Sequence, residues 1–310
     1  MSSSTVKQEG LAYQTNSCGE CIITEHLGNG RVKVKFNNTG WECIVFLNNL
    51  KRGLVKDRSV RFGDEYVGKE FESKRSGKMV VVKYVRASEV TVKFLNTGTL
   101  KTTKLCHIIS GSVADNFHPT VVGVGYLGEG YDLGNKTVNE KSFKLWAGML
   151  ERCYSKTQRS RNKTYEGCSV SENFKNLSYF KEWCSNQTGF NNEGWQLDKD
   201  ILIKGNKLYS EETCCFVPQE INAMLTKNNT NRGELPIGVV VGNNGKFISN
   251  ISSKNGFKGN LGTYETKEAA FLAYKNEKES RIKGLAEKWK DQIDSRVYEV
   301  LMKYQVEITD

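Results

Sequence analysis

The chain has 310 residues, 38% of them hydrophobic, enough to bury sizeable cores and to divide into two to four domains, which excludes a disordered tail. Forty-five Lys and Arg against thirty-five Asp and Glu give a formal charge of +10, a balance that suits a polyanionic partner such as nucleic acid. The first ten residues, MSSSTVKQEG, hold no apolar stretch of a signal peptide, and no run of about 18 apolar residues occurs anywhere, so neither secretion nor a membrane span is expected and the location reads as cytoplasmic.

Nine cysteines are scattered along the chain, with one C-x-x-C at Cys18 and Cys21 and one adjacent pair, Cys214 and Cys215. An odd number without a framework reads as free thiols in a reducing compartment. No second Cys/His pair follows Cys21 at zinc-ribbon spacing, so no zinc is expected.

The first third repeats itself at an ungapped offset of 58 residues: VKVKFNNTG at 32–40 falls on VTVKFLNTG at 90–98. The same offset carries Gly10 to Gly68, Leu50 to Ile108, Gly53 to Gly111 and Asp57 to Asp115, while Cys18 and Cys21 fall on Ser76 and Met79. Alternating apolar and polar residues with an Asn-Thr-Gly turn predict short antiparallel strands, hence two small β-barrels over 8–62 and 66–118. Val32, Val34 and Phe36 would face inward. Arg31, Lys33 and Lys35 would face out, either along phosphates or as an ordinary solvated strand face.

After Pro119 comes GVGYLGEGYDLGN at 123–135, too rich in glycine to sustain a helix or a long strand, so 119–138 reads as a linker. Two amphipathic helices follow: 140–153, with Phe143, Trp146, Leu150 and Cys153 at helical spacing, and 173–184, with Phe174, Leu177, Phe180 and Trp183. Between them lies a polar loop with Arg152, Lys156, Arg159, Arg161 and Lys163. It is either a DNA-backbone contact or a solvated charge run.

The segment WQLDKDILIKGNKLYSEETCCFVPQEINAML at 195–225 predicts a strand over 195–203, a Gly205-Asn206 turn, a strand from Thr213 to Val217, and a helix opened by Pro218 and running through Leu225. Downstream, strands are expected around 236–242, 245–253 and 257–263. A helix capped by Thr266 then runs from Lys267 towards Trp289, and a docking helix and acidic tail close the chain at 295–310.

Asp198, Lys199, Asp200, Gly205, Asn206, Phe216, Val217 and Asn222 in this order resemble the HNH, or His-Me finger, nucleases of bacteriophage introns. That resemblance implies a ββα core over 139–230 and a divalent cation, Mg²⁺ or another, held by Asp198 and Asn222. It also puts Lys199 and Asp200 at catalytic positions, with Lys199 where the family has its general-base His. All three histidines, His26, His107 and His118, lie in or beside the repeats. A lysine, with an ordinary pKa of about 10.4, binds phosphate well and takes protons badly. Three readings of Asp198-Lys199-Asp200 stay open: an active site with an unusual base, a silent DNA-binding remnant, and a structural turn.

Gly238, Val239, Leu261, Gly262, Thr263, Tyr264, Ala269, Ala270, Ala273 and Tyr274 resemble the Apetala-two/ethylene-response-factor (AP2/ERF) DNA-binding domain, which implies a three-stranded sheet lying in the major groove over 231–290. By position Lys246, Asn250, Ser252, Lys254 and Lys258 would reach the DNA, although Val240 and Val241 stand where that family has arginines. The expectation is therefore an α+β chain built from two tandem barrels, a ββα core with flanking helices, and a three-stranded sheet plus helix, closed by a helix and tail at 291–310. Its expected partner is double-stranded DNA, gripped in the manner of a phage homing endonuclease in the host cytoplasm, with Arg159, Arg161 and Lys163 adding backbone contacts. Metal-dependent nicking is weakened or lost, the rival readings are an active nickase and a non-enzymatic regulator, and the barrels are open to a protein partner.

Overall fold

Strict alternation along VKVKF and VTVKF buries one side of each strand, and this gives both repeats their sheets. A computed structural model describes residues 9–60, 63–130, 140–226, 235–252 and 258–308, with only the backbone for Asp64, Ser252 and Lys258. The chain is a mixed α+β protein with antiparallel sheets, divided into two units, Met1–Asp115 and Asn116–Asp310. Among the described residues no helix is long and apolar enough to cross a membrane.

In the first unit, β1 (Ala12–Gln14), β2 (Glu20–Gly28), β3 (Arg31–Phe36) and β4 (Glu42–Phe46) form a four-stranded meander followed by helix α1 (Leu47–Lys51). β5 (Glu70–Ser73), β6 (Gly77–Arg86), β7 (Glu89–Phe94), β8 (Leu100–Thr103) and α2 (Leu105–Ile109) repeat it. The registers superimpose at the 58-residue offset: Cys21 faces Phe36 as Met79 faces Phe94. The register shifts between Ile23 and Glu25 as it does between Val81 and Lys83. Each sheet keeps its own core, Val32, Val34, Phe36 and Leu50 in one and Val90, Val92, Phe94 and Ile108 in the other. Among the described residues the repeats form no closed barrel: β1 and β4, like β5 and β8, stand at the edges of open sheets. Four strands as short as three to ten residues leave little stagger with which to close a ring.

The second unit is assembled around α3 (Lys141–Tyr154), which buries Trp146, Met149, Leu150 and Cys153, and α5 (Leu177–Ser185), which buries Leu177, Phe180 and Cys184. The latter starts later than its periodicity suggests, since Asn176 caps it by accepting the Ser178 N–H and Phe174 sits in a preceding 3-10 turn. The basic loop between them is itself part helix: Ser155 caps α4 (Lys156–Arg161), and a 3-10 turn, Lys163–Tyr165, follows.

Part of the expected linker packs against the core. Leu127 is buried, the Tyr126 N–H donates to the Lys175 carbonyl at 3.0 Å, and a Cβ on Gly125 would lie 2.3 Å from Leu150 Cδ1. Its glycines serve close approach to α3 as well as chain reversal; residues 131–138 lie outside the described residues.

β10 (Trp195–Asp198) pairs antiparallel with β12 (Cys215–Pro218), and α6 (Gln219–Leu225) follows directly. β10 stops at Asp198 rather than at 203 because the Asp198 side chain accepts the N–H groups of Asp200 and Ile201 and turns the chain. β11 (Leu208–Tyr209) pairs parallel with β9 (Ser169–Val170). β13 (Val239–Val241), β14 (Phe247–Ser252) and β15 (Lys258–Tyr264) form a three-stranded sheet backed by α7 (Lys267–Trp289), whose cap is Thr266 accepting the Ala269 N–H. α8 (Ser295–Met302) packs into the larger core through Val297 and Leu301.

Candidate nucleic-acid interface

The turn after β10 is built from its own polar groups. Asp198 Oδ1 accepts from Asp200 N at 2.8 Å and Ile201 N at 2.9 Å. Asn206 Nδ2 donates to the carbonyls of Lys199 at 2.7 Å and Leu208 at 2.6 Å, closing the loop. Burial, then the neighbouring Asp200 carboxylate and a hydrogen bond to it, push the Asp198 carboxyl up to about 6, against the pull of the two N–H groups.

Lys199 does not face the same way as Asp198. Its side chain is buried, Nζ donates to the Asn206 carbonyl at 3.0 Å and to Asp200 Oδ2 at 3.3 Å, and it lies 5.7 Å from the centre of the Tyr209 ring. A lysine whose protons are given to two acceptors is a donor, not a base. Asn222, on α6, donates to Gln196 Oε1; Gln196 and Asp198 alternate onto one face of β10, so Asn222 lies on the Asp198 side of the strand. Among the described residues no group of three or more His, Cys, Asp or Glu could hold a metal ion.

β9 and β11 bring the basic segment to this turn. The Ser169 N–H donates to the Lys207 carbonyl at 2.9 Å, and Lys207 Nζ reaches back to the Thr164 carbonyl at 2.7 Å. Arg159, Arg161 and Lys163, on and just after α4, are therefore near neighbours of the loop 199–207, and all three are exposed. Arg159 and Lys207 meet a ring and a carbonyl respectively, and Arg152 beside them meets two rings. Arg152 lies 5.6 Å from the Tyr165 ring and 5.7 Å from the Tyr209 ring, with Nε on the Tyr209 hydroxyl at 3.3 Å, and Arg159 lies 5.9 Å from the Tyr154 ring. Burial pushes the Tyr209 phenol up, so it stands neutral between Lys199 and Arg152.

Several cations at the other end of this unit pair with carboxylates of the chain. Lys275 pairs with Glu279, Arg281 with Glu277, Lys288 with Glu220, Arg296 with Asp294 and Lys303 with Glu299. Among the described residues, Lys156, Arg159, Arg161, Lys163 and Lys207 form no such ion pair.

In the three-stranded sheet Phe247, Ser249 and Ile251 turn towards α7, which puts Lys246, Ile248 and Asn250 on the outer side by strand alternation. Lys246 is tied to Glu265, and Val240, the partner of Ile248, is 40% exposed, so this face is less basic than expected. Lys254 lies outside the described residues; Lys258 is placed as the backbone partner of Ser252.

Tyr154, Tyr165, Tyr209 and Lys207 were not singled out from the sequence. The three tyrosines are far apart in the chain, and only α3, β9 and β11 together set them beside the cations. Cys18 and Cys21 take no part in any site: the Cys18 thiol accepts the Asp57 N–H at 3.3 Å and the Cys21 thiol lies against the Tyr13 carbonyl, both in the first core. Compared with family models, curated proteins and solved structures, the chain matches none.

Proposed function

We propose that this chain binds double-stranded DNA in the manner of a homing endonuclease, gripping phosphates through the segment 156–163 and Lys207. One observation carries the reading: in the second unit Arg159 lies over an aromatic ring and Lys207 on a backbone carbonyl, with no carboxylate paired to either among the described residues, so both keep their charge for an external anion, whereas Lys275, Arg281 and Arg296 of α7 and α8 each pair with a nearby carboxylate. Arg159 over Tyr154 is pre-ordered for a phosphate, since its stacked guanidinium loses little freedom on binding. In this reading β10, β12 and α6 form a ββα core, the outer side of β14 meets the groove, and the repeat sheets add phosphate contacts or grip a protein partner. Affinity for a duplex about 40 base pairs long, measured from about 50 to 300 mM salt, should fall with a slope of about −0.9 per phosphate contacted. The triple substitution Arg159→Gln, Arg161→Gln, Lys163→Gln should lower that slope by about three, and Lys303→Gln, from an internal pair, should leave it unchanged. A triple variant that binds like the wild type would sink the reading.

The second reading is cleavage, favoured by the Asp198–Asp200 pair. Two neighbouring carboxyls, Asp198 and Asp200, offer the hard oxygen donors that Mg²⁺ or another divalent cation takes, usually one or two carboxylates together with substrate phosphates. Such an ion, when bound, supplies charge neutralisation at the scissile phosphate. The chain's own groups hold the donors in place: the Asp200 and Ile201 amides orient Asp198, Lys199 anchors Asp200, and Gln196 positions Asn222. Lys199, already donating to two acceptors, is unsuited to deprotonate water, so binding is the leading reading. Nicking of supercoiled DNA in Mg²⁺ or Mn²⁺ by the wild type, lost in Asp198→Ala and Asn222→Ala, would establish cleavage; band shifts without nicking leave a binder.

A further inference from the structure

Helix α7 belongs to both cores of the second unit. Ala270, Phe271 and Tyr274 of its first half pack under the sheet with Val239 and Ile251. Ile282 and Ala286 of its second half are buried with residues of β10, β12 and α6. Trp289 meets Trp195 of β10 edge to face, ring centroids 5.9 Å apart. Phe271 and Trp289 are eighteen positions apart, or about five turns, so they project from one flank of α7 and both modules hang from that flank.

Two ties lock the arrangement. Glu220 of α6 accepts from both Lys288 Nζ and Trp289 Nε1. The segment after α8 runs back along α7: Val306 is buried in the smaller core, its carbonyl accepts Lys275 Nζ at 2.7 Å, and its N–H donates to Glu279 Oε1 at 2.8 Å. One residue earlier, the Gln305 carbonyl accepts Lys204 Nζ at 3.2 Å, from the Lys204-Gly205 turn of the candidate site. Residues 304–306 thus staple the sheet module to the Asp198 module.

We propose that α7 is a ruler: it holds the two DNA-contacting modules at one separation, so the chain selects duplex DNA on the spacing between two contact patches. This rests on the DNA-binding reading above. A rise of roughly 1.5 Å per residue over the positions from Phe271 to Trp289 puts the anchor points of the two modules roughly 27 Å apart on α7, on the order of a turn of duplex or less. A packed helix cannot stretch to absorb an altered spacing, so a site with extra base pairs keeps one patch and loses the other.

The test uses the full chain and a duplex selected by it from a random pool of about 40 base pairs, with phosphate ethylation interference to map contacts. Two separate clusters at a fixed spacing are expected, and inserting about four base pairs between them should weaken wild-type binding about tenfold or more. Glu220→Gln and a chain ending at Met302, both with loosened ties, should bind the original duplex but discriminate the inserted one by less than about threefold. If the truncated chain does not fold, Glu220→Gln carries the same comparison, and the wild-type spacer series stands without either. A single cluster, or a wild type indifferent to spacing, overturns the ruler alone. Binding that is insensitive to salt and to the triple basic variant overturns the DNA reading and the ruler together.

Discussion

At the scale of single residues, the duplication shows what each repeat needs. The Thr39 hydroxyl donates to the buried Asp57 carboxylate, as that of Thr97 does to Asp115. The Asp57 N–H donates to the Cys18 thiol where the Asp115 N–H donates to the Ser76 hydroxyl at 2.9 Å. Cys18→Ser should therefore cost less than about 1 kcal/mol, and Cys18→Ala, which strands the Asp57 N–H, about 1–3 kcal/mol, read as denaturant midpoints. Burial works against ionising Asp57, but hydrogen bonds from Ser59, Thr39 and the Ser59 and Val60 amides hold its carboxyl below the ordinary range, so its contribution is present at neutral pH and lost in acid. Asp198 has the opposite sign. Its folded value of about 6 lies above the ordinary 3.8, so its contribution is complete below about pH 4 and is lost as pH rises through about 6. Asp198→Asn, which keeps an oxygen for the Asp200 and Ile201 amides, should gain on the wild type by about 2 kcal/mol between pH 4 and 7; parallel pH profiles would refute this.

At the scale of elements, several segments obey local rules that the sequence displays. Thr266 caps α7, Pro218 precedes α6, and the two Asn-Thr-Gly turns put Gly40 and Gly98 at φ of +72° and +76°. Others are decided by neighbours. Gly128 has φ of +76°, and a Cβ there would lie 2.1 Å from Asn176 Oδ1, the cap of α5. Gly128→Ala should combine backbone strain with loss of that cap and destabilise the second unit by about 2–3 kcal/mol, whereas Gly130→Ala, with nothing within 4 Å, should cost only the strain, about 1 kcal/mol. Equal losses at the two positions, read as thermal midpoints, would show that the segment is a linker after all.

At the scale of the whole molecule, the two units have separate cores. Fragments 1–115 and 116–310 should each give a cooperative unfolding transition when expressed alone. The same test at 230/231 should fail, because Ile282 and Ala286 of α7 and Val297 and Leu301 of α8 are buried in the larger core with residues that precede that boundary. What the sequence by itself determined is the repeat, the strand alternation and the capped helix from Lys267. All of these follow from spacings of 2 and 3.6 residues and from turn and cap chemistry acting over a few positions. Only the tertiary structure decided that the repeat sheets stay open, that 123–128 packs as core, that Lys199 turns inward onto Asn206 and Tyr209, and that α7 joins two expected domains into one unit. Those outcomes depend on contacts between residues tens of positions apart, where packing of bulky side chains and satisfaction of buried polar groups outweigh local propensity, and no periodicity in the chain records which distant partner a side chain will meet.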